Sequence, residues 1–208
     1  MTLFKNSTVV IIAPHMDDEI IGCAGTIILN EKDIERLVIV HMTFDAHRET
    51  ERQKVDKILH VSENYNLGLM DGFVNHYYDV GVNKLIEVIQ KEQPNIVFIP
   101  HMYDNHVDHI ATHNIAIDAL EKARYWHTEY HLWKVQYVFE YEVWSFQRIV
   151  SEVVDITEVL EQKKNLMKLY ESQTIDFNYL EYIHYINGYR GLLFNKIGFA
   201  ECFMIRRI

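Results

Sequence analysis

The chain is expected to fold as an α/β protein: a Rossmann-like, mostly parallel sheet with helices on both faces and a smaller C-terminal β/α part. Three observations predict this. Apolar β-forming runs alternate with helix-period segments through the first two thirds of the 208 residues, and that β-α-β-α order implies a parallel sheet covered on both faces. The leading runs are short, apolar and closed by a proline (VVIIAP and NIVFIP), as buried strands are. Finally, 49% of residues are hydrophobic while only 8 are Gly and 3 are Pro, enough for a sizeable core and unlike a disordered or repetitive chain.

In chain order, Thr8–Ala13 reads as the first strand and Glu19–Leu29 as a helix. The acids Asp17, Asp18 and Glu19 stand in its first turn, where unpaired N–H groups favour carboxylates. Leu37–Thr43 is the second strand, Glu49–Leu59 has helical periodicity, and Tyr65–Leu67 is a short strand before the turn-like Met70-Asp71-Gly72. Val82–Lys91 is a helix stopped by Pro94, Asn95–Pro100 a strand, and Val107–Lys122 a long amphipathic helix. After Arg124 the composition turns aromatic. Val135–Phe139 and Val150–Asp155 are strand-like, Thr157 is placed to cap a helix over Val159–Tyr170, Gly188 and Gly191 bracket a loop, and Phe199–Ile205 is a final strand. No linker composition separates these parts, so residues 1–208 are expected to form one domain, with a core over about 1–124 and a C-terminal part over about 125–208.

Charge and composition exclude several functions. With 20 basic and 30 acidic residues the net charge is −10, which lacks the basic footprint of nucleic-acid binding and a polybasic patch for anionic lipid. No apolar run approaches the about 20 residues of a membrane span, and the first residues, MTLFKNSTVV, do not read as a secretory signal. Two cysteines, Cys23 and Cys202, lie in apolar surroundings and make no framework of bridges; a reducing, cytoplasmic setting is expected.

The chemistry lies where two strands hand over to helices. Pro14-His15-Met16-Asp17-Asp18-Glu19 follows the first strand, and His101 to His109, with Asp104, His106 and Asp108 between them, follows NIVFIP. In a parallel sheet both loops open on the same edge, at the carboxyl ends of the strands, so His15, Asp17, Asp18, His106, Asp108 and His109 can converge. Two histidines and a carboxylate are a common ligand set for catalytic zinc. A spare carboxylate then takes a proton from water, and a spare imidazole faces a developing oxyanion.

PHMDDE and HVDH resemble the PHPDDE and HPDH signatures of the PIG-L/LmbE-like zinc N-deacetylases, which remove acetyl groups from N-acetylglucosamine-bearing molecules. Arg48-x-x-Glu51, Leu67-Gly68-Leu69-Met70-Asp71-Gly72, Tyr141-Glu142-Val143-Trp144, Ser172-Gln173, Tyr189-Arg190-Gly191 and Ala200-Glu201-Cys202-Phe203 are similar to further family segments. Met16, Met70 and Val107 replace usual prolines, Tyr170 stands where His is frequent, and Phe199 where Tyr is. The resemblance implies His15, Asp18 and His109 as metal ligands and Asp17 as general base. It implies His106 as the imidazole that stabilises the tetrahedral intermediate, Asp108 as the group orienting it, and Arg48 as a contact to sugar hydroxyls. It implies Zn2+, although two imidazoles and a carboxylate also accept Fe2+. A metal that lowers the pKa of water towards about 7 makes a weak base such as Asp17 sufficient.

Plainer readings stand beside these. His113 lies one turn after His109, but Ile110 replaces the Glu a zincin needs, so His113 reads as packing beneath the site. His101 and Asp104 read as loop structure, His41 as a satisfied core histidine, and Asp71 as a turn residue. His127, His131 and His184 read as decoration of an aromatic region, Tyr137–Trp144 as core with one face able to stack on a pyranose ring, and Arg48 as equally able to pair with Glu51. The expected function is removal of the N-acetyl group from a small-molecule amino sugar. The alternatives are metal-dependent hydrolysis of another amide or acyl group, or a non-catalytic sugar- or nucleotide-binding protein. Nucleotide binding is disfavoured because no G-x-G-x-x-G follows the first strand. The missing span argues against a membrane-anchored glycolipid substrate, and the aromatics of Tyr125–Trp144 point to an interface in a homo-oligomer.

Overall fold

A computed structural model describes residues 3–125, 133–175, 177–194 and 198–207; His127 and His131 lie outside them. The elements run β1 (Ser7–Ala13), α1 (Asp18–Leu29), β2 (Ile34–Thr43), α2 (Glu49–Ile58), β3 (Glu63–Leu69), α3 (Tyr78–Glu92), β4 (Ile96–Pro100), α4 (Val107–Tyr125), β5 (Tyr137–Tyr141), β6 (Glu152–Asp155), α5 (Leu160–Met167), α6 (Tyr179–Leu193) and β7 (Ala200–Arg206). They form a seven-stranded sheet of order β3-β2-β1-β4-β5-β7-β6. Strands β1 to β5 pair in parallel, and β7 pairs antiparallel with both β5 and β6. This is the expected Rossmann-like α/β architecture.

Alternation along β1 sends side chains to two cores. Val9 and Ile11 pack with Ile20, Ile27, Val55 and Met167 on one face, and Val10 and Ile12 with Leu85, Ile89, Ile115 and Ala119 on the other. Both faces of the sheet are therefore buried, which is why β1 and β4 read as continuous apolar runs. Strand order reverses between β1 and β4, so the chain after β1 and the chain after β4 leave a crevice between them at the carboxyl edge.

The departures from expectation have local causes. Gly188 and Gly191 do not bracket a loop; both lie inside α6, which Asn178 opens by accepting the Glu181 N–H at 3.2 Å. The glycine is accommodated there because Phe199 covers it: a Cβ at Gly188 would sit 3.3 Å from the ring. Thr157 does not cap α5. Its hydroxyl donates to Asp155 and accepts the Phe199 N–H at 2.9 Å, while Thr157–Val159 form a 3-10 turn ahead of the helix.

Two tests of the packing arise here. A Cβ on Gly22 of α1 would lie 2.2 Å from Cδ2 of Tyr141, whose hydroxyl donates to the Ile12 carbonyl at 2.9 Å and pins the ring. Gly22→Ala should therefore cost at least about 1–3 kcal/mol in urea denaturation; an unchanged midpoint would show that the ring has room. Both cysteines are free and buried. Burial pushes the Cys202 thiol up to about 12 and raises the Cys23 thiol well above its ordinary range. Native protein should thus resist a thiol reagent at pH 8 that labels both groups once unfolded.

Candidate active site

The crevice holds a cavity of about 180 Å³ lined by His15, Asp17, Asp18, Arg48, Asp71 and His106, and also by Trp144, Gln173 and Tyr179. His109 lies fully buried behind this surface. The β1–α1 and β4–α4 connections thus bring the residues singled out in the sequence around one space, with Arg48 arriving at the start of α2.

The centre is one carboxylate oxygen. Asp18 Oδ2 accepts the His15 N–H at 2.9 Å and lies 3.1 Å from His15 Nδ1 and 3.2 Å from His109 Nε2. Each imidazole has acids on its far side: His15 Nε2 is 3.1 Å from Asp71 and 3.2 Å from Asp108, and His109 Nδ1 is 3.5 Å from Asp104. Neither buried ring nitrogen of His109 makes a hydrogen bond of good geometry, despite that closeness.

In its chemistry this donor set suits a divalent cation: ligands held at about 2.0–2.1 Å in a tetrahedron lie roughly 3.3 Å apart, and Asp18 Oδ2 stands 3.1 Å from His15 Nδ1 and 3.2 Å from His109 Nε2. Carboxylates on the outer nitrogens are the usual support of metal-bound histidines. Among the described residues, the groups whose ligand atoms all lie within 4.8 Å of one another are His15, His106 and His109, and His15, Asp71 and Asp108. The electrostatics agree. Burial disfavours the charged form of His109, but Asp18 and Asp104 outweigh it and push the imidazole up to about 9. For His15, burial is likewise outweighed by Asp108, Asp18 and Asp71, which raise its pKa well above the ordinary value. Acids crowd the space, and two protons or one divalent cation neutralise them. Titrating Zn2+ into metal-free protein at pH 7, in buffers of different ionisation enthalpy, should show release of at least one proton per ion; zero release would contradict ligation through these imidazoles.

Asp17 stands apart from that set. Its backbone is left-handed (φ 119°, ψ −25°), a strained state for a residue with a Cβ. Glu19 holds it there by accepting the Asp17 N–H at 3.0 Å. Glu19 in turn accepts the Tyr170 hydroxyl at 2.8 Å and meets His41 Nε2 at 3.3 Å. The Asp17 carboxylate lines the cavity and faces Arg48, whose Nη1 is 3.6 Å away. Burial, then the charge of Asp18, raises the Asp17 pKa well above the carboxylate range, with Arg48 pulling the other way.

Asp108 is not placed as expected. Its carboxylate does not meet His106; it accepts the N–H groups of Gly72 (2.6 Å) and Val74 (3.1 Å) and faces His15. The first turn of α4 points it across the crevice towards the loop after β3. The ring of His106 instead accepts the backbone N–H of Asp108 at Nδ1, 3.2 Å, which leaves the hydrogen of the neutral imidazole on Nε2. Burial and the neighbouring His109 and His15 lower the His106 pKa, favouring that neutral form.

Arg48 is not paired with Glu51, which accepts the backbone N–H and hydroxyl of Ser172 instead. Its Nη1 donates to the Met16 carbonyl at 3.0 Å. Asp71, read as a turn residue, is drawn to His15 and held down at about 2 by that contact. Asp104 does more than shape its loop: it accepts the His106 N–H at 2.9 Å and the Trp144 N–H at 3.0 Å while backing His109. His101 (to the Ser145 carbonyl) and His113 (to the Pro100 carbonyl) are structural, as expected. Trp144, at the end of the aromatic segment whose one face could stack on a pyranose, lines the cavity; Tyr179 beside it carries no sequence signal, because an aromatic without a polar pattern reads as core.

The family PIG-L, described as GlcNAc-PI de-N-acetylase, matches residues 10–120. The chain belongs to the PIG-L family. The PIG-L match covers both His/Asp loops, and the chain's reaction class is that of the family, amide hydrolysis by a deacetylase. Solved structures agree on the fold. The conserved protein TT1542 from Thermus thermophilus is 25% identical, with a TM-score of 0.85 over 95% of this chain and 94% of its own. N,N'-diacetylchitobiose deacetylase from Pyrococcus horikoshii is 23% identical, with a TM-score of 0.84 over 97% of this chain and 84% of its own. GalB from Pseudomonas putida, a 4-carboxy-2-hydroxymuconate hydratase, is 17% identical, with a TM-score of 0.77 over 97% of this chain and 98% of its own. One fold thus carries more than one reaction, so the likeness to these structures speaks for the fold alone. Among the described residues, no helix is long and apolar enough to cross a membrane.

Proposed function

We propose that this PIG-L protein hydrolyses the acetamido group of an N-acetylglucosamine-type amino sugar, using a divalent metal held by His15, Asp18 and His109, with zinc the first choice and Fe2+ the second. The observation that carries this reading is the separation of two carboxylates in consecutive positions. Asp18 is tied between two acid-backed imidazoles, while the strained turn at Asp17 frees its carboxylate to face the cavity.

When bound, the metal supplies Lewis acidity, making water a better acid and the acyl carbonyl a better electrophile. Asp17 accepts the proton that the attacking water loses. Its raised pKa suits it to hold that proton and return it to the departing amine, so water and amide become acetate and amine. His106, neutral with its hydrogen on Nε2, donates to the oxygen on which negative charge develops. Asp71 and Asp108 hold His15 from behind, and Asp104 holds His109. Arg48 reaches the sugar hydroxyls, and Trp144 and Tyr179 offer flat faces to the ring.

Metal-loaded protein should release acetate and a primary amine in equal amounts from N-acetylglucosamine glycosides. A panel of amides with other acyl groups should react more slowly. Release of another acid in preference to acetate, or water addition to an unsaturated acid without amide cleavage, would overturn the reading.

A further inference from the structure

We infer that the amino sugar carries an apolar aglycone, and that a second cavity bordered by Trp144 takes it. This rests on the N-deacetylase reading above and names the substrate class for the same site. Trp144 lines two cavities, the active site and a neighbour of about 180 Å³ walled by Val143, Trp144, Phe146, Tyr182 and Ile186. An apolar cavity of about 150 Å³ holds benzene, so this space admits one aromatic ring or a short branched alkyl group.

The polar side chains of Tyr182, Ser145 and Glu142, which also line it, have partners within the protein. The Tyr182 hydroxyl donates to the Val143 carbonyl, and the Ser145 hydroxyl donates to the Tyr103 carbonyl at 2.8 Å. Glu142 accepts the Gln147 N–H at 2.8 Å and the Arg190 Nε–H at 3.0 Å. The remaining lining, Val143, Phe146, Ile186 and the rings of Trp144 and Tyr182, is apolar, and an apolar group placed against it leaves no hydroxyl to be satisfied. The shared wall is also fixed in place. The Trp144 ring lies 5.2 Å from Tyr182 and 5.7 Å from Phe177, and its backbone N–H is tied to Asp104, the residue that backs His109. A rigid partition between the reacting centre and an apolar space sets the distance at which a substituent on the sugar is recognised.

The test compares the phenyl and methyl β-glycosides of N-acetylglucosamine with metal-loaded full-length protein, by calorimetric binding and by acetate release. The phenyl glycoside should bind at least about tenfold more tightly and show a correspondingly higher kcat/KM. Ile186→Trp, which fills the cavity, should bring the phenyl-to-methyl ratio close to one, and Ile186→Val should restore the preference. Equal binding of the two glycosides overturns the subsite, whether or not acetate is released. Preferential phenyl binding that Ile186→Trp abolishes, with no acetate from either compound, leaves the subsite standing and overturns the N-deacetylase reading instead. A phenyl preference that survives in Ile186→Trp also overturns the placement.

Discussion

Asp17→Asn should lower kcat by about 10²–10⁴-fold, the range a positioned general base supplies, while the bound metal stays at wild-type stoichiometry. Asparagine keeps the shape of the side chain and tolerates a positive φ better than most residues, so the left-handed turn at this position should survive. What is lost is the group that takes the proton. Asp18→Asn should behave differently, because Asp18 Oδ2 sits between His15 Nδ1 and His109 Nε2: metal and activity should fall together. Metal analysis beside acetate release separates the two outcomes. If Asp17→Asn kept more than half of wild-type kcat with metal bound, the division of labour between these neighbours would be wrong.

Glu201→Gln should destabilise the fold by about 3–5 kcal/mol. Lys163 is fully buried, and its ammonium donates to Glu201 at 2.7 Å, to the Ile21 carbonyl at 2.8 Å and to Asn187 at 3.1 Å. Glu201 also accepts the backbone N–H groups of Gly25 and Thr26 and the Thr26 hydroxyl. The pair therefore ties the middle of α1 to α5, α6 and β7. Glutamine retains the volume but leaves an ammonium without its countercharge in a dry interior, where an isolated charge is most costly. Urea denaturation gives the value directly, and a loss below about 1 kcal/mol would show that the pair is not an uncompensated burden when broken. Because α1 begins with Asp18, metal affinity should weaken in the same variant.

Much of this was legible because chemistry and periodicity coincided. Apolar runs ended by Pro14 and Pro100 marked β1 and β4, and the His/Asp clusters after them had to open on one edge once the strands were parallel. Contacts made at a distance were not legible. Nothing local says that Asp108 turns to His15 and the loop at Gly72 instead of to His106, two positions before it. Asp71 looked like a turn former because only the folded chain brings it to His15. Glu51 looked like a partner for Arg48 one turn away, yet Ser172 takes it from far along the chain. Gly188 reads as a breaker because the covering ring of Phe199 lies outside any local window.

The most direct test of the central claim is metal content measured beside acetate release, on the same preparations of wild type and His109→Ala. One zinc or iron per chain in the wild type is predicted, with release of acetate from an N-acetylglucosamine glycoside. Stripping the metal should abolish that release and zinc should restore it, while His109→Ala loses both properties. Undiminished acetate release from stripped protein, or from His109→Ala, would contradict the account.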